Sequence, residues 1–331
     1  MKAGEILLLT SREIQSLLTL DECIEAVEHA FCLHGEGKAV PPGVLSMHTC
    51  DGGFHVKAGL LELDRSYFAA KVNGNFPKNG TRFGLPTIQG LIVLCDSGNG
   101  TPLAVMDSRE ITSLRTGAAT AVAAKYLARR DSRIITICGC GNQGRVQLKA
   151  LSRTWQFQTI FAYDNSEEQA LRFAHELASD LKVSVTVVAD LAPAVRQSDI
   201  CVTCTPSRQP LLGHDDVKPG TFVAAVGADN PEKQELHPNL MAKHKIVCDI
   251  LEQCAVMGDL HHALDAGVLT RADVHAELGE IVAGKRPGRE SEVEITIFDS
   301  TGMALQDVAA AAFLYEKAQR DGAGVRLNFA A

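Results

Sequence analysis

The stretch that decides the fold is RIITICGCGNQGRVQLKAL, Arg133–Leu151. Its apolar run Ile134–Cys138 predicts a buried β-strand, and the residues from about Gln143 onward predict a helix. Between strand and helix stands GCGNQG, 139–144, which has the glycine spacing of a dinucleotide-binding βαβ unit. The segment therefore predicts the first strand, turn and helix of such a unit.

Each glycine of this turn has a physical task. Gly139 permits the tight turn, Gly141 lets the backbone approach a pyrophosphate, and Gly144 lets the helix pack closely on the strand. The N-terminus of the helix would offer unpaired N–H groups and the positive end of its dipole to the phosphates. The alternative is a glycine-rich turn that binds no ligand.

A second strand supports the dinucleotide interpretation. Thr159–Tyr163 is apolar and rich in strand formers, and Asp164 follows it, twenty positions after Gly144. A carboxylate at this place binds the adenosine ribose hydroxyls in Rossmann units. The following residues, 165–168, include no arginine or lysine for a 2′-phosphate. The sequence therefore favours NAD over NADP.

Composition and charge narrow the class of protein. The chain of 331 residues is long enough for two domains, and its 46% hydrophobic and 22% charged content is typical of globular proteins. The net charge of −8 gives no basic footprint, so neither nucleic acid nor an anionic membrane is an expected partner. No apolar run approaches the roughly 20 residues of a membrane helix. The N-terminal segment predicts a strand and a helix rather than a signal peptide.

The ten cysteines, several inside predicted buried strands, favour reduced thiols in a cytoplasmic enzyme over a disulfide framework. Cys201 and Cys204 are three positions apart in a predicted strand, so their side chains should point to opposite faces. We interpret both as buried core thiols. His261 and His262 lack a third ligand at a suitable spacing, and we expect no metal site.

The order of the predicted elements indicates two domains. Short strands and turns in 41–94 predict an antiparallel sheet, whereas strands and helices alternate over 134–249, as in a parallel, doubly wound sheet. The alanine-rich segment Glu110–Arg129 predicts a long helix between these regions. A strand in Ile295–Gly302 and a last helix, Val308–Arg320, follow the alternating region.

We therefore predict an α/β fold in which a doubly wound Rossmann domain is inserted into a second, α+β domain. The expected α+β domain, for substrate binding and dimerisation, comprises 1–118 and 304–331, and the expected Rossmann domain is 119–303. Near the start of the chain, Thr19 and Glu22 predict a capping box at the beginning of a helix.

Several segments resemble the ornithine cyclodeaminase/μ-crystallin family, and the overall likeness is nearest its archaeal-type alanine dehydrogenase branch. The central segment is SLRTGAATAVAAKYLA, Ser113–Ala128, followed at once by the fingerprint. Further similar segments are KVNGNFPKN (Lys71–Asn79), GLPTIQG (Gly84–Gly90), PLAVMD (Pro102–Asp107), VTCTPS (Val202–Ser207), VGADNPEKQEL (Val226–Leu236) and ITIFDSTGMALQD (Ile295–Asp307).

This resemblance implies an NAD(P) cofactor, a homodimer and a small amino-acid or imino-acid substrate. It assigns substrate binding to Lys71 and acid/base catalysis to Asp229. It also implies a set of cofactor contacts: Thr87, Arg115, Gly139, Gly141, Asn142, Gln143, Gly144, Asp164, Thr205, Val226, Gly227 and Ser300. Among these, Thr205, Val226, Gly227 and Ser300 are expected beside the nicotinamide half.

The chemistry of these side chains is consistent with the roles that the resemblance implies for Asp229, Lys71 and Arg115. Removal of hydride from an amino-acid Cα requires a neutral amine, so a carboxylate such as Asp229 must accept a proton. The alternative for Asp229 is a helix cap or turn aspartate. A substrate carboxylate would satisfy Lys71, which is flanked by apolar strand residues, although a strand-edge lysine can also extend to water. Arg115 matches phosphate geometry, but an interdomain salt bridge is an equal alternative.

The sequence also departs from the family. Many members carry a basic residue where this chain has Gly43, and the family's acidic or arginine residue before Met-Pro is replaced by the segment beginning at His55. His55 and Lys57 share one face of the predicted strand. We hypothesise that they supply the substrate contact missing at Gly43. A histidine where cyclodeaminases use glutamate argues against cyclodeamination.

The sequence thus predicts a cytoplasmic, NAD-dependent oxidoreductase acting on the Cα–N bond of a small L-amino acid or its imine. In this prediction Lys71 and Asp229 are the catalytic pair, and Lys71, His55, Lys57 and Arg115 bind the substrate. The first alternative is an ornithine cyclodeaminase that uses NAD as a bound catalyst and releases ammonia. The second is a non-catalytic ligand-binding protein on the same scaffold.

Overall fold

The computed structural model describes residues 4–328, which divide into two compact units. The first unit extends to Arg115 and resumes at Met303, and the second is Thr116–Gly302. The second unit is therefore inserted into the first along the chain. The predicted α/β class, with a parallel Rossmann-like sheet and a separate, mainly antiparallel sheet, is confirmed.

The strands are numbered in chain order: β1 (Glu5–Leu9), β2 (Ala39–Thr49), β3 (Gly52–Glu62), β4 (Ser66–Asn75), β5 (Ile88–Asp96), β6 (Pro102–Asp107), β7 (Ile134–Cys138), β8 (Thr159–Tyr163), β9 (Val185–Val187), β10 (Ile200–Thr203), β11 (Arg208–Leu212), β12 (Phe222–Ala225), β13 (Gln234–Leu236), β14 (Lys245–Cys248), β15 (Ala276–Glu277), β16 (Thr296–Asp299) and β17 (Val325–Asn328). The α-helices are α1 (Ser11–Leu17), α2 (Leu20–Gly35), α3 (Asn79–Phe83), α4 (Ser108–Leu127), α5 (Asn142–Leu151), α6 (Glu167–Leu181), α7 (Leu191–Val195), α8 (Pro238–Met241), α9 (Leu251–Met257), α10 (Asp259–Asp265), α11 (Leu278–Val282) and α12 (Ala304–Asp321).

The first unit is built on a seven-stranded sheet in the order β17-β1-β6-β5-β4-β3-β2, in which only β1 and β6 pair in parallel. The mostly buried, alanine-rich α12 covers one face. A Cβ on Gly59 would stand only 3.0 Å from Leu305 of that helix. The opposite face carries exposed apolar side chains: Leu45, Met47, Phe54, Val72 and Leu91.

The helices at the start of this unit begin where side chains satisfy their first N–H groups. Thr19 and Glu22 form the predicted capping box before α2. Thr10 and Glu13 form a second capping box before α1. Each box pairs two backbone donors that a helix end leaves without partners.

The second unit is built on an eight-stranded parallel sheet in the order β15-β14-β16-β12-β10-β7-β8-β9. The chain proceeds from β7 to β8 on one side and later returns to β10 on the other, so the strand order reverses at β7. In doubly wound sheets, ligands bind beyond the carboxyl ends of the strands at such a reversal. A separate parallel pair, β11 and β13, lies outside this sheet and has no counterpart in the sequence-based prediction.

Within residues 4–328, none of the helices combines the length and apolar character needed to cross a membrane.

Candidate functional site

The fingerprint turn joins β7 to α5 with the geometry expected of its glycines. Gly139 has a φ of +104°, in the region that side chains disfavour. A Cβ on Gly144 would overlap the carbonyl oxygen of Gly139, so the helix packs against the turn itself. At Gly141, by contrast, no described atom outside its immediate neighbours lies within 4 Å of the Cβ position. This side of the turn is open to a ligand.

Gly141 is also the N-cap residue of α5, and as a glycine it has no side chain that could cap that helix end. Asn142 and Gln143 are the first two residues of this helix, at the end where the fingerprint places a pyrophosphate. The side-chain oxygen of Gln143 is buried and has no hydrogen-bond partner among the described residues. The residues of this turn fit a dinucleotide.

Asp164 is attached directly to the fingerprint turn. It follows β8, which pairs with β7 through Tyr163 and Cys138. Its Oδ2 accepts hydrogen bonds from the backbone N–H of Cys140 (2.8 Å) and from the side chain of Gln169 (2.9 Å). Its Oδ1 accepts a third hydrogen bond from the backbone N–H of Ser166 (2.9 Å). A carboxylate can accept about four hydrogen bonds, so these three leave capacity for one from a ribose hydroxyl.

Thr205 and Gly227 lie on the loops that follow β10 and β12, two adjacent strands of the parallel sheet. A residue that the sequence argument did not single out, Glu235 of β13, joins them. Its Oε1 accepts hydrogen bonds from the backbone N–H (2.6 Å) and hydroxyl (2.7 Å) of Thr205. Its Oε2 accepts one from the N–H of Gly227 (2.9 Å). The carboxylate thus connects two of the predicted cofactor loops.

The two other residues expected at this edge lie beside the same strands. The N–H of Val226 donates to the carbonyl of Thr203, and the N–H of Ser300 donates to the carbonyl of Ala225. The Ser300 hydroxyl donates to the buried carboxylate of Asp249 (3.2 Å). Asp249, also missed by the sequence argument, therefore fixes the loop after β16.

Asp229 stands two residues beyond Gly227, on the loop that leads to β13. Its side chain is 49% exposed, and its Oδ1 lies 2.7 Å from the Nζ of Lys233. The amide of Asn230 donates to the same oxygen at 3.4 Å. The loop therefore presents an accessible carboxylate next to a mostly buried lysine, which can stabilise its ionised form.

In the first unit, Lys71 projects from β4 and is only 4% exposed. Its Nζ donates to Oδ2 of Asp307 of α12 at 2.7 Å. Burial, together with the nearby Arg115 and Lys57, lowers the pKa of Lys71 to about 7, against the opposing effect of Asp307. This lysine is therefore a buried cation whose charge is only partly compensated.

Arg115 of α4 is bound to the same helix. Its Nε donates to Oδ1 of Asp307 at 3.2 Å, and its Nη1 donates to the side-chain oxygen of Gln306 at 3.0 Å. Burial by itself would raise the pKa of Asp307, but Lys71 and Arg115 hold it below its usual range. The Asp307 carboxylate thus accepts hydrogen bonds from two buried cations of this unit.

The strand β3 adds two of the predicted substrate residues. Lys57 lies directly opposite Lys71 and His55 directly opposite Asn73, so all four share one sheet face. The Nδ1 of His55 lies 3.1 Å from the hydroxyl of Ser46. The residue opposite Lys57 on β2 is Val44, one position after Gly43.

Thr87 precedes β5, is exposed, and accepts a hydrogen bond at its carbonyl from the N–H of Phe76.

In the second unit His262 contacts the carbonyl of Lys233 at 2.8 Å, and His261 pairs with Asp265.

All ten cysteines are free thiols. Cys201 is fully buried, whereas Cys204 is partly exposed. Over residues 4–328, the single group of three potential metal ligands is Cys248, Cys254 and Asp299, all of them buried. Burial raises the pKa of the Cys254 thiol well above its usual range. Burial therefore favours the neutral thiol, which is a weaker metal ligand than a thiolate.

Three carboxylates of the site were not identified from the sequence: Glu235, Asp249 and Asp307. Asp307 was within reach of sequence reasoning, because it closes the segment ITIFDSTGMALQD and is followed by a long apolar helix. Glu235 lies in VGADNPEKQEL, another of the similar segments. Their partners lie on distant segments, so the sequence carries no local signal of the contacts themselves.

Comparison with known proteins agrees with this geometry. The model of the ornithine cyclodeaminase/mu-crystallin family matches residues 5–322. Alanine dehydrogenase of Archaeoglobus fulgidus is 42% identical over 98% of this chain and 99% of its own length. A solved structure described as an archaeal alanine dehydrogenase dimer with bound NAD superposes with a TM-score of 0.93, at 42% identity and with 98% and 99% of the two chains covered.

Two further solved structures are similar over nearly the whole chain. Thermococcus litoralis Δ1-pyrroline-2-carboxylate reductase, in complex with NADH and L-proline, has a TM-score of 0.92 at 36% identity, with 97% and 99% of the chains covered. Paracoccus denitrificans iminosuccinate reductase, in complex with NAD+, has a TM-score of 0.90 at 32% identity, with 98% and 99% covered.

All three of these structures contain NAD, NAD+ or NADH, and the three relatives are named as a dehydrogenase or as reductases. The predictions of an NAD cofactor and of an oxidoreductase are therefore confirmed. The family model matches nearly the whole chain, and the turn 139–144 has the geometry expected of the dinucleotide fingerprint. This chain belongs to the ornithine cyclodeaminase/μ-crystallin family.

Proposed function

We propose that this chain is an NAD-dependent oxidoreductase that acts on the Cα–N bond of a small L-amino acid or of the corresponding imine. The observation that carries the proposal is the cluster of Lys71, Arg115 and Asp307, in which two buried cations share one carboxylate. An uncompensated buried charge is costly, and a substrate carboxylate would reduce that cost. A substrate that carries an anion therefore fits this cluster.

In this mechanism Lys71 binds the substrate carboxylate. Lys57 or His55 adds a second contact, because both residues share the sheet face of Lys71. Arg115 is held by Asp307 and Gln306, and it contributes positive charge to the same cluster. Two cationic contacts would hold the amino acid in a single orientation, which is the main requirement for hydride transfer.

Asp229 is the proposed proton acceptor. NAD supplies the hydride acceptor when it is bound. The substrate loses hydride from Cα and a proton from its amine, and a C=N bond forms. Asp229 accepts that proton, and Lys233, 2.7 Å away, stabilises the carboxylate before the transfer. Water then converts a linear imine into a keto acid and ammonia, and the reverse sequence reduces an imine.

The test is a direct assay with purified protein, NAD and a panel of alanine, aspartate, proline and ornithine. Absorbance at 340 nm and ammonia are followed together. We expect NADH with ammonia from a linear substrate, or NADH alone from a cyclic one. Asp229→Asn should lower kcat by roughly 10²–10⁴-fold. Asp265→Asn, a change to an exposed carboxylate that pairs with His261, is the matched control.

The same assay separates the alternatives. Ammonia without net NADH would identify a cyclodeaminase. Calorimetric binding of amino or imino acids without turnover in either direction would identify a ligand-binding protein. Turnover unaffected by Asp229→Asn would remove Asp229 from the mechanism, and an unchanged KM in Lys57→Ala would remove Lys57 from the substrate contacts.

We also propose that two copies of the chain associate through the apolar face of the seven-stranded sheet. This face includes a cavity of about 840 Å³ lined by Phe54, Val72, Phe83, Leu85 and Leu91. Contiguous exposed apolar surface of this kind usually marks an interaction site. The dimer reported for the archaeal relative supports this proposal. The ten free thiols support a cytoplasmic location.

A further inference from the structure

A connected set of buried carboxylates lies in the second unit, apart from the groups assigned to the reaction. Glu235, Asp259 and Asp299 are all fully buried. Oδ1 of Asp259 accepts hydrogen bonds from the backbone N–H groups of Glu235 (2.7 Å) and Leu236 (2.8 Å). Asp299 in turn accepts the N–H groups of Asp259 and Leu260. These bonds connect β13 to α10, and α10 to the end of β16.

Glu235 is the member of this set that reaches the cofactor edge of the sheet. Its two oxygens accept three hydrogen bonds, from the N–H and hydroxyl of Thr205 and from the N–H of Gly227. Burying a carboxylate is costly unless donors compensate for the lost water, and donors to an ionised acceptor form the stronger hydrogen bonds. The loops after β10 and β12 supply those donors.

We propose that Glu235 is a positioning residue that holds the Thr205 and Gly227 loops in the conformation that binds the nicotinamide end of NAD. This inference rests on the proposed NAD-dependent function and on the expectation from the family resemblance that Thr205 and Gly227 lie beside the nicotinamide half of the cofactor. Glu235 itself acts through these two loops and has no contact with substrate assigned to it.

The packing around Gly227 shows how closely the loops and the carboxylate are fitted. A Cβ on Gly227 would overlap the carbonyl oxygen of Thr205 and stand 2.6 Å from Oε1 of Glu235. A residue with a side chain at this place would therefore separate the two loops. The bond from Gly227 to Glu235 also closes the base of the loop that carries Asp229 and Lys233.

The support behind Glu235 explains why its carboxylate can act as a fixed anchor. Asp259 accepts the N–H groups of Glu235 and Leu236, the last two residues of β13, so the backbone of Glu235 is held at the same time as its side chain. Burial and the neighbouring Asp259 raise the pKa of Glu235, against the opposing effect of the Thr205 bonds. The three hydrogen bonds from the Thr205 and Gly227 loops favour its ionised form.

The experiment compares two ligands that differ at the nicotinamide end. NADH is titrated by its own fluorescence, and ADP-ribose, which lacks the nicotinamide, is titrated by competition. In Glu235→Gln the amide can accept from one loop but presents N–H donors to the other. We expect the Kd of NADH to rise about tenfold, the emission change of bound NADH to shrink, and the Kd of ADP-ribose to stay within twofold. Glu252→Gln, a change to an exposed carboxylate paired with Arg271, should alter neither.

Two results would overturn the proposal. One is an unchanged Kd and emission of NADH in Glu235→Gln. The other is an equal loss of affinity for NADH and ADP-ribose, which would indicate a general structural role. If Glu235→Gln does not fold, Glu235→Asp keeps the charge but is one methylene short, and the same selective loss is expected. No amino acid enters these titrations, so their outcome does not depend on whether the proposed substrate class is correct.

Discussion

Lys71 and Asp307 form an ion pair across 236 positions of sequence, with Nζ and Oδ2 2.7 Å apart and both side chains almost completely buried. Arg115 contacts the other oxygen of the same carboxylate. The pair joins β4 to α12 and places a buried cation on the sheet face that carries Lys57. Stability and substrate binding should therefore both depend on this cluster.

Asp307→Asn should lower the free energy of unfolding by about 3–5 kcal/mol, because Lys71 and Arg115 would lose their shared anion while remaining buried. Urea denaturation measures the change. Asp180→Asn removes the partner of the exposed Lys149 and should cost less than about 1 kcal/mol. Equal losses in the two variants would contradict the importance of the buried pair.

Lys71 should make substrate binding depend on pH near neutrality. Its pKa is about 7, so the cation that binds a carboxylate is lost as the pH rises above that value. In Lys71→Arg the charge persists to high pH. The ratio of kcat/KM between wild type and Lys71→Arg, which cancels titration of the substrate amine, should fall above about pH 7. A ratio independent of pH would contradict this role.

The same pKa has a consequence for stability, with a defined sign. The unfolded chain keeps the lysine proton up to the ordinary value of 10.5, whereas the folded chain releases it at about 7. Between these values the unfolded state binds more protons, so this group makes the free energy of unfolding rise with pH. Lys71→Met should remove that rise, which denaturation at a series of pH values would measure.

Gly144→Ala and Gly141→Ala form a matched pair for the fingerprint turn. The first adds a methyl group that overlaps the carbonyl of Gly139, so it should cost about 1–3 kcal/mol of stability and also weaken NAD binding. The second adds a methyl group on the open side of the turn, so it should weaken NAD binding without loss of stability. Thermal unfolding and calorimetric titration measure the two effects. Tight NAD binding in Gly141→Ala would disprove the placement of the pyrophosphate.

Asp164→Asn should weaken the preference for NADH over NADPH by about tenfold or more, because it removes the negative charge that opposes a 2′-phosphate. The ratio of the two Kd values is the measurement. Glu167→Gln changes a neighbouring carboxylate in the first turn of α6 and should leave the ratio within twofold. An unchanged ratio in Asp164→Asn would indicate that another group selects the cofactor.

Leu45→Glu combined with Leu91→Glu should convert a dimer into monomers, since both side chains stand on the exposed apolar sheet face. Sedimentation over a range of concentrations measures the change. Leu171→Glu alters a leucine of α6 that is 53% exposed, similar to the 52% of Leu91, and should leave the mass unchanged. A wild-type protein that is monomeric throughout would exclude this interface.

The local sequence pattern was sufficient to predict the bounds of those strands and helices that are specified by their own residues. The bounds of β7 and β8 agree with the prediction, because short apolar runs end at a glycine turn and at Asp164. The long helix α4 was placed two residues too late, and α12 begins at Ala304 rather than Val308. Neighbouring residues at a helix end fit the helix almost equally well, so composition alone does not locate the first residue.

Very short strands, and contacts between residues far apart in the sequence, could not be predicted from local sequence patterns. The strands β13 and β15 have three and two residues, too few to show any alternation. Glu235 and Asp307 could be read as ordinary surface carboxylates until the fold brought them to Thr205, Gly227, Lys71 and Arg115. Their contacts required the assembled sheets.

The residues alone thus determined the βαβ fingerprint, the alternation of strands and helices, and the family likeness, since glycine conformation and hydrophobic period act over a few neighbouring positions. The tertiary structure decided which carboxylate neutralises which cation. That choice depends on burial and on distances between side chains far apart in sequence, and a buried charge takes the partner that folding places within hydrogen-bonding reach. For Lys71 that partner is Asp307.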